Sequence, residues 1–224
     1  MSTSRSAAPA SYVDLSWLPL GAGGSPLVRA SGRAFEAVTA AHGHRARRPL
    51  FHSALQVQLD GIRTVVEMTP AWGPAAAPGD TVATGPVGLR LLGRSRFFRY
   101  EVHRALDGVI PDLAEAVESP RRLSADHDRA RWLLSLVPSF PGHPWGRDPG
   151  HVGDMWNSNS LTSWLLSHSG HDLAAVGPPR HGRAPGWTAG LAVALRQQGD
   201  VLPLHRERPT DRSAGCSPAA RSGP

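Results

Sequence analysis

Apolar positions follow two periods along this chain, and the sharpest is the alternation in FHSALQVQLDGIRTVVEMTP, residues 51–70. Two β-rich runs flank the pair Asp60-Gly61, a sequence suited to a two-residue hairpin loop because both residues tolerate positive φ. With that loop, Leu59 pairs with Ile62, Ala54 falls opposite Glu67 and His52 opposite Thr69. His52 and Glu67 then share one face as diagonal neighbours within reach of long side chains, and Thr64 lies on the other. Two further runs, VGLRLLG and RFFRYEVHRAL, read as strands that extend the sheet, joined through Gly93, Arg94 and Ser95.

The three-and-four spacing of helices appears elsewhere. VRASGRAFEAVTAAHG sets Val28, Phe35 and Val38 among alanines and predicts a first helix ending near Gly43. PDLAEAVE, after Pro111, reads as a short helix with acids at its positive end. Ser124, Asp126 and Asp128 open ADHDRARWLLSL, which Pro138 stops. In DMWNSNSLTSWLLSHSG, Leu161, Trp164 and Leu165 make one buried face, Asn157 to Ser160 mark the start, and Gly170 suits the end. TAGLAVALRQQ is a last helix. Trp72 to Thr84 and the stretch from Pro138 to Gly153 read as loops, as does PPRHGRAPGW.

These elements predict one α+β domain over 13–198, its first element after the Gly-rich LGAGGSP. The polar lead-in 1–12 and the Arg-, Pro- and Ser-rich tail 199–224 are expected to be disordered. Composition changes the picture in two respects. All 24 basic residues are arginine, which with the Ala, Gly and Pro content reads as a coding bias, so the net charge of +6 is weak support for a nucleic-acid partner. The one cysteine, Cys216, lies in the tail, which leaves no disulfide, thiolate metal site or cysteine nucleophile within the domain. No apolar run is long enough to span a membrane or direct secretion, and the expected location is cytoplasmic. His143, His151, His168, His171 and His181 flank the Trp-containing helix in no zinc spacing; neither a metal nor a cofactor is expected.

A histidine opening a hairpin strand, an acid on the next strand, and later an Asn-Ser-Asn turn opening an apolar helix: this order resembles the circularly permuted, NlpC-type papain-like hydrolases. That group includes the lecithin:retinol acyltransferase-like enzymes, and the resemblance covers roughly His52 to Trp187. It implies an antiparallel sheet packed against a nucleophile helix, with His52 as general base, Glu67 or Gln56 orienting it, and Ser158 in the place of the family's cysteine. Asn157 matches the residue that precedes the nucleophile. Asn157, Asn159, Gln56 and Trp156 would border the substrate, an amide or ester with a small-molecule, peptide or acyl portion. A serine cannot be activated as a thiolate is by a helix dipole; it needs a base and an oxyanion site, which helix-start N–H groups can supply.

Each residue also has a plain structural reading. Ser158 suits a helix cap, His52 a half-buried strand position, and Glu67 an ion pair with Arg63. Trp145, Trp156, Trp164 and Trp187 line either an apolar groove or the core. Phe97, Phe98 and Tyr100 among arginines fit a packed sheet better than a nucleic-acid surface. The alternative to an enzyme is therefore a catalytically silent papain-like domain that binds a ligand or protein.

Overall fold

The computed structural model describes residues 11–21, 36–71, 81–110 and 113–201; the expected tail lies almost wholly outside them. Its centre is an antiparallel sheet of six strands: β1 (Tyr12–Pro19), β2 (Phe51–Leu59), β3 (Ile62–Pro70), β4 (Thr81–Pro86), β5 (Arg99–Leu106) and β6 (Val117–Ser124), in the order β4-β5-β3-β2-β1-β6. Residues 36–42 are helical (α1), and three longer helices follow: α2 (His127–Leu136), α3 (Ser158–His168) and α4 (Trp187–Val201). The chain is α+β, as the patterning implies. No helix among the described residues is long and apolar enough to cross a membrane.

The hairpin is the element the sequence specifies best. Asp60 and Gly61 take φ of 51° and 85°, and Leu59 pairs with Ile62, Val57 with Thr64 and Leu55 with Val66. One face of the sheet, carrying Val13, Leu15, Trp17, Leu55, Val57, Val66, Met68 and Val102, packs into the main core with α2, α3 and α4. The opposite face carries a small apolar group, Leu18, Ala54, Val65 and Ile110, among polar neighbours. The segment 108–116 supplies Ile110 and the partly buried Ala116 to that group.

Four expectations need correction. The fold begins before the Gly-rich stretch: β1 pairs with both β2 and β6. Its alternation of Val13, Leu15 and Trp17 with Asp14 and Ser16 is short, and it is intelligible because Asp14 is held by Arg122 on β6 through Nε at 2.6 Å and Nη2 at 3.1 Å. The expected helix in PDLAEAVE is absent from its described residues, 113–118: a 3₁₀ turn at Leu113–Glu115 leads into β6, an edge strand that tolerates Pro120. The end of the expected Trp72 to Thr84 loop is instead part of strand β4, Thr81–Pro86. VGLRLLG is no strand: Pro86 ends the ladder, Gly88 takes φ of 73°, and 3₁₀ turns at Arg90–Arg94 and Arg96–Phe98 carry the chain to β5.

Candidate functional site

Helix α3 begins with a closed set of hydrogen bonds. Asn157 is the N-cap: its side-chain oxygen accepts from the Asn159 N–H at 2.9 Å, and Ser160 Oγ accepts from the Asn157 N–H at 3.0 Å, completing a capping box. The plain reading of this turn as a cap holds, with the cap shifted from Ser158 to Asn157. Ser160 Oγ also donates to Gly186 O at 2.7 Å, and Asn157 Nδ2 to Pro185 O at 2.8 Å. The 184–188 loop is thereby fastened to α3. Asp154 fixes the loop's other end, accepting from the N–H groups of Gly186 at 2.7 Å and Thr188 at 3.1 Å, at the positive start of α4. A side chain at Gly186 would collide with Asn157, and one at Gly190 with Ser160 and Ser163, so α3 and α4 need these glycines to approach as they do.

Asn159 does something the sequence did not disclose. The ladder between β2 and β3 runs from Leu59↔Ile62 to Leu55↔Val66 and stops. On the open side of β2 beyond that point, the buried carboxamide of Asn159 accepts from Ser53 N–H at 2.7 Å and from Ser53 Oγ at 2.8 Å, and donates to Phe51 O at 3.1 Å and Pro185 O at 2.7 Å. Phe51 N–H donates to Arg183 O at 2.8 Å. A side-chain amide thus stands in for a missing strand, and the start of α3 is wedged where β2 and β3 part.

Ser158, the first residue of α3, is half-buried, and its Oγ makes no hydrogen bond among the described residues. His52 lies on β2 opposite Leu18, on the strand position that alternates with Ser53. Because Ser53 is the residue bonded to α3, alternation directs His52 toward the face that carries Leu18 and Ala54. Asn157, Ser158 and Asn159 stand together at the helix start, and no base is hydrogen-bonded to Ser158 Oγ among the described residues.

Glu67 is on that outer face as the hairpin register requires, yet its neighbour is a histidine that sequence reasoning passed over. His103 on β5 sits directly opposite it, 4% exposed, with Thr81 Oγ1 at 3.2 Å from Nδ1 and Glu101 Oε2 at 3.7 Å from Nε2. Glu67 has no ion pair or hydrogen bond among the described residues, and burial alone pushes its carboxyl up. The expected Arg63 partner instead donates to Asp107 O at 3.1 Å. Gln56 is on the same face, half-buried, opposite Asp14 and Val65.

Trp156, expected at the edge of the substrate, is instead enclosed in the core. It is fully buried, stacked on Phe140 with ring centres 4.9 Å apart, and donates from Nε1 to Tyr100 Oη at 3.4 Å. Trp164 and Trp187 are likewise core, and Trp145 packs against it. Among the described residues no group of three or more His, Cys, Asp or Glu could hold a metal ion. A second feature without a local signal in the chain is Glu36, buried on α1 and held by Arg45 at 2.5 Å and Arg183 at 3.0 Å, its pKa lowered to about 2 chiefly by the Arg45 hydrogen bond.

At the opposite end of the sheet from α3's first turn, a cleft of about 310 Å³ opens between the hairpin, the ends of β4 and β5, and α2. Leu59, Ile62, Val82, Leu106 and Leu134 wall it together with Thr64 and Asp60, whose Oδ1 lies 3.0 Å from His127 Nε2, and Ile62 and Leu106 are 53% and 65% exposed. Arg104 lines it with no acidic partner among the described residues; its one hydrogen bond is to Leu134 O at 3.5 Å. Compared with protein-family models, with curated proteins and with solved structures, the chain matches none.

Proposed function

We propose that this chain is a papain-like domain whose nucleophile position is silent and which works as a ligand-binding module. The observation that carries this reading is the use made of the Asn157–Ser160 turn. Three of its four side chains hold α3, α4 and β2 together, while Ser158 Oγ has no hydrogen bond to a base among the described residues. The wedge of α3 into the parted strands β2 and β3, over an antiparallel sheet, supports the papain-like assignment. The cleft beside Arg104 supports a ligand: its volume lies at the lower end of small-molecule sites, its walls are mostly apolar, and its arginine is free for an anion because the one carboxylate in the lining, Asp60, faces His127. A compound with an apolar body and a carboxylate, such as an acyl or aromatic acid, satisfies both.

One observation favours the enzyme reading instead: Ser158 Oγ is uncommitted at the N-terminus of an eleven-residue helix, where N–H groups can hold an oxyanion. A fluorophosphonate probe followed by mass spectrometry separates the two. The silent-domain reading expects no adduct, and a thermal shift by apolar carboxylic acids that Arg104→Ala abolishes. An adduct on Ser158 that disappears in His52→Ala would replace it with a serine hydrolase or acyltransferase built on Ser158, His52 and Glu67.

A further inference from the structure

The crossing between β4 and β5 leaves uncovered what the sequence assigned to a packed sheet. Leu89 is 53% exposed, and on the two short 3₁₀ turns that follow it Leu91 is 82%, Phe97 67% and Phe98 44% exposed. No acid occurs from Val87 to Phe98, whereas Arg90, Arg94 and Arg96 do, all exposed. None of these three arginines forms an ion pair among the described residues. Apolar side chains of this size, held outward and interleaved with unpaired cations, give up their exposure only against a surface that is apolar within and anionic at its boundary.

We infer that the 87–98 crossing is a docking surface for an anionic lipid bilayer, with Leu91 and Phe97 entering the headgroup and acyl boundary and Arg90 and Arg94 meeting lipid phosphates. The aliphatic residues decide against nucleic acid. Stacking on bases would employ Phe97 and Phe98 but leaves Leu89 and Leu91, one of them the most exposed large apolar residue of the patch, without a role. Arginine suits the headgroup layer because its fork binds phosphate oxygens in pairs while its stem stays among apolar groups. The patch also lies at the end of the sheet where α3 begins, since Pro86 and Arg99 pair across β4 and β5 at the same end as Phe51.

The test is co-sedimentation of the full chain with vesicles of phosphatidylcholine, with and without phosphatidylglycerol, at rising salt. Binding to the anionic vesicles that weakens with salt is expected. Arg90→Ala should reduce it about fivefold, as should Arg94→Ala, and the pair Leu91→Ser with Phe97→Ser should reduce it at least tenfold at an unchanged melting temperature, because these side chains are outside the core. Failure of the wild type to sediment with anionic vesicles overturns the inference. So does binding that the apolar pair leaves unaltered. Retention on a single-stranded oligonucleotide that needs Phe97 but not Leu91, or a lipid-free dimer that Leu91→Ser dissolves, would assign the patch to nucleic acid or to a second copy. None of these outcomes depends on whether Ser158 is silent.

Discussion

The two faces of the sheet solve the problem of burial in different ways. On the helix side, Leu15, Leu55, Val57 and Val102 are fully buried, and the polar groups that enter this layer at the start of α3 are satisfied one for one. On the outer side, polar residues occupy the strands, and satisfaction is uneven. Asp14 has a two-point bond from Arg122, whose guanidinium also lies 3.7 Å from the centre of the Tyr12 ring. Glu67 has burial and no partner among the described residues. A face closed by complementary bonds reads as structure; a face that keeps a carboxyl unpaired beside a histidine reads as one whose charge state has been left free to change.

The sharpest way to break this contrast is Asn159→Ala. The substitution strands Ser53 N–H and Phe51 O, both buried against α3. With an unsatisfied buried group costing about 1 to 3 kcal/mol, the expected loss is about 3 kcal/mol and a melting temperature lower by roughly 10 °C. Ser158→Ala, one position earlier, removes no hydrogen bond and should stay within about 0.5 kcal/mol of the wild type. Urea denaturation of the two variants decides it. If Ser158→Ala costs as much as Asn159→Ala, Ser158 belongs to the structural turn, and neither the silent-site reading nor the enzyme reading describes it.

Much of the fold was legible, and the failures have a common physical origin. The Asp60-Gly61 hairpin was readable because loop chemistry and alternation agree over 20 residues, and α3 because Leu161, Trp164 and Leu165 repeat at helical spacing. β1 and β6 were missed because each depends on a partner far away in the chain. Asp14 is acceptable in a buried strand only once Arg122 stands beside it, and local propensity carries no sign of that pairing. The 87–98 crossing was misread because its apolar residues alternate like a strand while Pro86 and Gly88 prevent one. At the site, the Asn-Ser-Asn turn was recognised as a helix start, but its bridging member could not be: Asn159 matters because β2 and β3 part beside it, a property of register.

A smaller effect sharpens the account of the outer face. Burial raises the Glu67 pKa above its ordinary 4.5, so the folded state holds this proton more tightly than the unfolded chain does. Its contribution to stability is therefore present below pH 4.5 and is lost as pH rises through the folded value. Glu67→Gln removes the penalty of a buried carboxylate and should raise the melting temperature at pH 7, with no gain at pH 4. If the variant is instead destabilised at pH 7, the charged form has a partner, and His103 directly opposite is the group to substitute next.

The smallest effect tests whether the helix layer is as free of titration as its apolar lining suggests. His171, 8% exposed just beyond α3, pairs Nδ1 with Ser169 Oγ at 2.9 Å, and its buried Nε2 has no hydrogen-bond partner among the described residues. Burial, and secondarily the charge of Arg129, lowers its pKa from 6.5. The unfolded chain therefore takes up a proton near pH 6.5 that the fold resists, and stability is present above that pH and falls as pH drops through it. His143, lowered by burial and by Arg90, adds to the same slope. His171→Asn should flatten the fall in melting temperature between about pH 6.5 and 5, the range in which histidines titrate, leaving the part due to His143. A slope unchanged by the substitution would mean that His171 is solvated in the folded protein, and that this end of the helix layer is open to water where the packing shows it closed.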